Sequence, residues 1–330
     1  MNEMSANANI VWKPEEITYN VAPSTHWTTT TGKGSVTTTT EEQKKTIGVF
    51  WSNRSEEGLL RPVIEQLKKA GFEVTEYKCP DTPYEVIDYL QSLDIPLPDY
   101  ALVPYDRPPM TMVAFLAYHC RIPIIQLHAG DISTGTLDDR DRWVISMWAD
   151  YHFCAGKTQA KRVKRYLWSM GRDPSHVYIS GVTNLDDIDK ISEPPDGDYD
   201  VVAYNVPTSC PEKMSGELEQ ILNTLDKETY WIEPQGNTED DKYILSRARD
   251  FATTTGKPIH VVPTMPHESM LGLFSRAKRV IGNSSALFFE APYFGCQIVQ
   301  VGERNKVREN VELSPGGSKR IAKKLKKWLA

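Results

Sequence analysis

No apolar stretch in this chain approaches the roughly 18 residues that a spanning helix needs, so no membrane insertion is expected. The N-terminus, MNEMSANANIVW, has neither the basic start nor the apolar core of a secretory signal, and the expected location is cytoplasmic. Cysteine is sparse: Cys79, Cys120, Cys154, Cys210 and Cys296 stand apart without a C-x-x-C pair, and an odd count speaks against a disulfide framework. Basic charge is not in excess. A net charge of −6 argues against a general nucleic-acid binder. The histidines and aspartates also lack the helical i, i+4 spacing of a metal site, which ranks a metal below other uses of these side chains.

What is present is a globular composition, 40% hydrophobic and 25% charged, in 330 residues, enough for two domains of ordinary size. Residues 1–45 stand apart as a Thr-rich arm, expected to be flexible or docked on a subunit through Trp12, Tyr19 and Trp27. From residue 46 strand patterns (46–51, 72–77, 100–104, 123–127, 151–154, 177–181) alternate with helical ones (58–70, 84–93, 111–119, 142–148, 157–170). Residues 189–199 read as a linker by composition. The alternation then restarts and runs to residue 313. This pattern predicts an α/β fold of two Rossmann-like doubly wound domains, 46–188 and 200–313. A ligand is expected in the cleft facing the carboxyl ends of both sheets. Residues 314–330 form a basic amphipathic helix expected to pack Ile321, Leu325, Trp328 and Leu329 on the body.

The chemistry-bearing residues fall at strand ends. After a strand at 279–281 come Gly282, Asn283, Ser284 and Ser285, then a helical pattern holding the lone carboxylate Glu290. Backbone N–H groups, hydroxyls and a helix start are suited to phosphate. A buried carboxylate needs a partner, and a sugar diol would serve. Phosphate at the turn and a diol further along is the shape of a nucleotide. Arg54 and Asp106 follow two other strands. The loop 126–142 gathers His128, Asp131, Asp138, Asp139, Asp141, Arg140 and Arg142 behind a buried strand. Paired carboxylates there allow one to abstract a proton while another delivers one.

Four separated motifs resemble the UDP-N-acetylglucosamine 2-epimerase family, closest to its hydrolysing branch. They are Asn53-Arg54 with Gly58-Leu59-Leu60-Arg61-Pro62, then Asp106-Arg107, then His128-Ala129-Gly130-Asp131 with Gly135 and Asp138-Asp139-x-x-Arg142. The fourth is Gly282-Asn283-Ser284-Ser285 with Glu290-Ala291-Pro292, Phe294-Gly295 and Gly302-x-Arg304. The resemblance implies a glycosyltransferase-B type fold and C2 deprotonation, elimination of UDP to a glycal and addition of water. It implies Asp106, Asp131 and Asp138 as acid/base groups, with Asp139 a stand-in and His128 and Arg142 beside them. Arg54, Asn205, Asn237, Asn283, Ser284, Ser285, Glu290 and Arg304 would hold UDP or substrate. No cofactor is implied, the ligand is UDP-N-acetylglucosamine or a related UDP-2-acetamido sugar, and a homo-oligomer is expected.

The chain departs from the family pattern at named places. Asn205 stands where a histidine is usual, Asn237 where a carboxylate is usual, and Gln126 and Trp143 replace two further histidines. After Arg304 the usual Gln-x-Gly-Arg is Asn305-Lys306-Val307-Arg308. Two alternatives stay open: a UDP-sugar-dependent glycosyltransferase, on the shared fold, and a catalytically impaired nucleotide-sugar-binding scaffold, on the departures at Asn205 and Asn237.

Overall fold

The structure, a computed structural model, describes residues 44–93, 96–234 and 238–330, with all their side chains but those of Arg54 and Ser55. Residues 1–43 of the Thr-rich arm and Asn237 lie outside the described residues, as does the side chain of Arg54. Gln43–Ala330 forms one compact unit holding two sheets.

The first sheet is built from β1 (Thr46–Trp51), β2 (Glu73–Lys78), β3 (Tyr100–Val103), β4 (Ile124–Leu127), β5 (Tyr151–Cys154) and β6 (Val177–Ile179). The second holds β7 (Tyr199–Ala203), β8 (Glu228–Ile232), β9 (Ile259–Val262), β10 (Arg279–Gly282) and β11 (Gln297–Gln300). The helices of the first half are α1 (Arg54–Ala70), α2 (Pro83–Ser92), α3 (Pro108–His119), α4 (Asp138–Trp148) and α5 (Lys157–Ser169). The second half has α6 (Met214–Thr224), α7 (Glu239–Thr255), α8 (His267–Ser275) and the short α9 (Ala286–Phe289), and α10 (Gly317–Trp328) closes the chain. Every strand pairing is parallel. That arrangement requires apolar cover on both faces, and β1, β3, β4 and β7 accordingly read as nearly unbroken apolar runs.

Strand order is β2-β1-β3-β4-β5-β6 in one sheet and β11-β10-β7-β8-β9 in the other. The order reverses between β1 and β3 and between β7 and β10. At such reversals neighbouring connections leave on opposite faces and open a crevice at the carboxyl ends. Residues 52–56 and 105–107 leave one crevice, residues 204–205 and 283–285 the other.

The C-terminal helix returns to the first sheet. Ile321, Ala322, Leu325 and Leu329 join Leu60, Val63 and Leu67 of α1 over one face of β1 and β4. Asp186 caps this helix from outside it, accepting from Gly316, Gly317 and Ser318 N–H groups, the last two at 3.0 and 2.6 Å. A second apolar seam joins the halves: Ala155, Val182 and Leu185 from the first pack with Leu271 and Phe289 from the second.

Two elements differ from the expectation. Helix α1 begins at Arg54, not at residue 58, because Asn53 and Glu56 form a reciprocal capping box that pulls residues 54–57 into the first turn. The helix after β10 stops at Phe289. Glu290 is its cap, and Ala291–Phe294 continues as a tighter 3-10 turn ending in left-handed Gly295. Pro292 has no N–H to continue an α-helical ladder. Glu290 therefore sits at a break between helices, not within one, and Ser284 and Ser285 precede the helix instead of lying in its first turn. Among the described residues no helix is long and apolar enough to cross a membrane.

Candidate active site

Both crevices open into a single cleft of about 520 Å³. Asp106, His128, Asp131, Asp138, Arg142, Asn205, Ser284, Ser285, Glu290 and Arg304 all line it. Asn283 and Asp139 do not.

On the second half, the turn after β10 is fixed by backbone contact. Gly282 has φ +139, and a Cβ there would lie 2.2 Å from the Ala203 carbonyl. That carbonyl accepts from both Asn283 N (3.2 Å) and Ser284 N (3.1 Å). Asn283 is fully buried, its Oδ1 accepting from Asn205 N and its Nδ2 donating to Asn205 O, both at 2.8 Å. Its side chain ties β10 to the segment after β7, and among the expected binding residues it stands behind the turn. The turn offers a ligand the Ser284 and Ser285 hydroxyls and the Ser285 N–H.

Glu290 is 3% exposed. Its Oε1 accepts from Asn184 Nδ2 at 2.6 Å, and His267 Nε2 stands 3.7 Å away. Its Oε2 and His267 Nε2 have no partner. A carboxylate this buried with a free oxygen facing a cleft is suited to a pair of hydroxyl donors.

On the first half, Arg142 organises the acids. Buried at the first turns of α4, it donates to Asp106, to the Asp131 carbonyl (3.0 Å), to Asp139 Oδ1 (2.9 Å) and to Ser133 Oγ (2.7 Å). Asp139 Oδ1 also accepts from Ser133 N at 2.6 Å, so this carboxylate shapes the loop. The cap of α3 is Arg107, which leaves the Asp106 carboxylate to the cleft and to Arg142. Asp131 is 2% exposed; burial pushes its carboxyl up from the ordinary range, and Arg308 beside it opposes that rise. His128 is held neutral: burial, reinforced by Arg308, lowers its pKa to about 3. It can donate or accept a hydrogen bond at neutral pH but not carry charge there.

Tyr105, His128 and Asn305 are three of the four non-glycine residues with left-handed backbone among the described residues, and all three line the cleft. Conformations of this kind cost free energy and persist where surrounding structure enforces them, which occurs disproportionately at functional sites.

The two halves are stitched together at the acidic loop. Thr134 Oγ1 donates to Glu303 O and Asn305 N to Thr134 O, both at 2.8 Å. Gly135 allows the approach, since a Cβ there would lie 2.6 Å from Arg304 N and Cα. Arg308 reaches across the cleft to Asp131 Oδ2 at 3.2 Å and to Ser133 Oγ. The cleft thus also holds Arg308, Asn184, Tyr105 and Glu56, which the sequence reading did not select as site residues. Arg308 occupies the last position of the altered motif after Arg304, and Asn184 follows a strand end; those were the available signals. Gln126, where a histidine is usual, is fully buried, bonded to Arg142 O (3.1 Å) and Ser146 Oγ (2.7 Å), and anchors α4 to β4.

Two Rossmann-like sheets with their strand tips turned to one cleft of acids and arginines define a glycosyltransferase-B type protein. A family model described as UDP-N-acetylglucosamine 2-epimerase matches residues 85–330, and the chain belongs to that family. GDP/UDP-N,N′-diacetylbacillosamine 2-epimerase (hydrolyzing) of Campylobacter jejuni is 24% identical over 226 residues, covering 64% of this chain and 58% of that protein. UDP-N,N′-diacetylbacillosamine 2-epimerase (hydrolyzing) of Legionella pneumophila is 22% identical over 243 residues, covering 68% and 62%. The chain therefore spans less than two thirds of the length of these two relatives. The fold is that of Methanocaldococcus jannaschii UDP-GlcNAc 2-epimerase, solved with UDP-GlcNAc and UDP, at a TM-score of 0.64 and 14% identity over 86% of this chain and 99% of that one.

Proposed function

We propose that this protein is a hydrolysing 2-epimerase of a UDP-linked 2-acetamido sugar. The observation that carries the reading is that Asp106, Asp131 and Asp138 share one cleft with the Ser284-Ser285 turn and the half-satisfied Glu290. Phosphate oxygens would take the two serine hydroxyls and the Ser285 N–H, with Arg54, Arg304 and Arg308 as cations. Glu290, positioned by Asn184, would accept from the ribose diol, and Asn205 and Asn237 would contact the sugar or phosphates. The sugar would then lie toward the acidic loop.

In the reaction, one carboxylate removes the C2 proton, the C1–O bond breaks, and UDP leaves with its electron pair as the C1–C2 double bond forms. Water then adds at C1 while an acid returns a proton to C2 on the opposite face. One carboxyl must be ionised and another protonated at the same time. The site supports this division: Asp106 is held by the buried Arg142 guanidinium, whereas burial favours the neutral form of Asp131. The names of the two bacillosamine-type relatives support a hydrolysing outcome and a 2-acetamido sugar. Incubation with UDP-N-acetylglucosamine and with UDP-N,N′-diacetylbacillosamine tests the reading: free UDP and a free 2-epimerised sugar should form together from one of them. UDP released only when an acceptor is added would instead mark a transferase.

A further inference from the structure

We propose that Asp131 and Arg308 form a pair that nucleotide binding separates, so that the arriving pyrophosphate makes Asp131 take up a proton. The inference rests on the nucleotide reading above and goes beyond it by coupling the two halves of the cleft.

Asp131 belongs to the loop after β4 and Arg308 to the segment after β11, so their contact spans the cleft. The contact is a single one, Nη1 to Oδ2 at 3.2 Å; the Ile132 N–H and the Gln159 side chain also favour the carboxylate, but both are neutral donors. The other face of the guanidinium lies over the Phe289 ring, 5.0 Å from its centroid. Phe289 N donates to Ser285 O at 3.2 Å, so that ring stands one turn along from the hydroxyl turn. Arg308 thus sits between the carboxylate of one half and the proposed phosphate seat of the other. Its Nε is buried without a partner. A pyrophosphate carries more charge than a carboxylate and accepts the planar fork of a guanidinium in two bonds where Asp131 takes one.

The remaining groups around Asp131 do not replace that cation. Arg142 on α4 donates to the Asp131 carbonyl oxygen, and its charge is shared with Asp106 and Asp139. Arg162 on α5 donates to Gly130 O, and its charge is matched by Glu309 at 2.8 Å. His128 on the same loop is neutral, and the Cys154 thiol on β5 is pushed up to about 12 by burial, so it is neutral too. Once Arg308 turns to phosphate, the Asp131 carboxylate is left buried beside cations already engaged elsewhere. It then binds a proton from solvent, and the positive charge that had balanced it passes to the pyrophosphate. The loaded cleft would hold a neutral acid at Asp131 facing the sugar, while Asp106 stays paired with Arg142. Arg308 acts through Asp131 in this role and is a positioning residue for it.

Calorimetric titration of UDP into the whole protein, at neutral pH in two buffers of different ionisation enthalpy, counts the protons exchanged. The same titration of Asp131→Asn cancels the ionisation of the nucleotide's own phosphates. The wild type should take up more protons than Asp131→Asn, by about half a proton or more. Its UDP affinity, relative to that variant, should fall as pH rises through the window between the free and bound pKa of the carboxyl. Asp131→Asn should bind UDP several-fold more tightly, because Arg308 is no longer held back. In Arg308→Gln the uptake should vanish, and the limb of the pH profile of kcat/KM that belongs to Asp131 should move to higher pH. Equal proton counts in wild type and Asp131→Asn, or an unmoved limb in Arg308→Gln, would overturn the proposal while leaving the nucleotide reading intact. No UDP binding by the wild type would overturn both.

Discussion

Buried imidazoles make part of this protein's stability depend on pH. His128 and His152 are both buried, and burial lowers their pKa values from 6.5 to about 3 and about 4. The folded state therefore binds fewer protons at these sites than the unfolded chain once pH drops below 6.5. The stability contributed by the neutral rings is complete above that value and is lost as pH falls toward the folded pKa values. Each pH unit within that window costs at most about 1.4 kcal/mol per ring. Urea unfolding of His128→Gln should show a shallower loss between pH 6.5 and 5 than the wild type; equal slopes would contradict the buried neutral ring. Side-chain identity alone did not separate this histidine from a proton shuttle. What lowers its pKa is burial and the Arg308 charge, and both depend on residues distant in sequence. Asn283 teaches the same point. Its place in a Gly-Asn-Ser-Ser turn read as ligand binding, yet both ends of its amide are used by the Asn205 backbone.

The alternation of strands and helices was legible because each parallel strand is an apolar run bounded by polar turns, and each helix carries a repeating apolar stripe. The strand ends bearing Asp106, Asp131, Asn205 and Ser284 were legible for the same reason. The start of α1 and the break at Glu290 were not. The first depends on a capping box whose sequence signal, Asn53-x-x-Glu56, was present but not used; the second on backbone conformation around Pro292. Contacts between elements were out of reach: Ser133 and Arg308 are 175 positions apart, and nothing local to either announces their meeting. The stitching of the acidic loop to the segment after β11 yields a prediction at this scale. Gly135 has φ +73 and backbone atoms of Arg304 2.6 Å from where a Cβ would stand. Gly135→Ala should push the loop off its seat and displace Asp138 relative to the bound sugar. A shift of about 1 Å of that kind lowers kcat/KM by about a hundredfold. Activity within a factor of two of wild type would show that the close approach does not position the loop.

For the molecule as a whole, the last helix of the chain completes the core of the first sheet, so the two ends of Gln43–Ala330 are energetically joined. Leu325 is fully buried between α1 and the sheet, far from the cleft. Leu325→Ala should cost about 2–5 kcal/mol, as a large-to-small change in a packed core does, and denaturant unfolding should remain a single transition. Loss of less than 1 kcal/mol would mean that α10 contributes little to that core. The proposed chemistry turns on one event, removal of the proton at C2. Incubating the protein with the proposed UDP-2-acetamido sugar in deuterated water and following the products by NMR reads that event directly. Deuterium is expected at C2 of a free manno-configured sugar released together with UDP, with no such exchange in Asp131→Asn, whose UDP affinity is not lowered. Binding of UDP with no deuterium entering at C2 under any condition of turnover would contradict it.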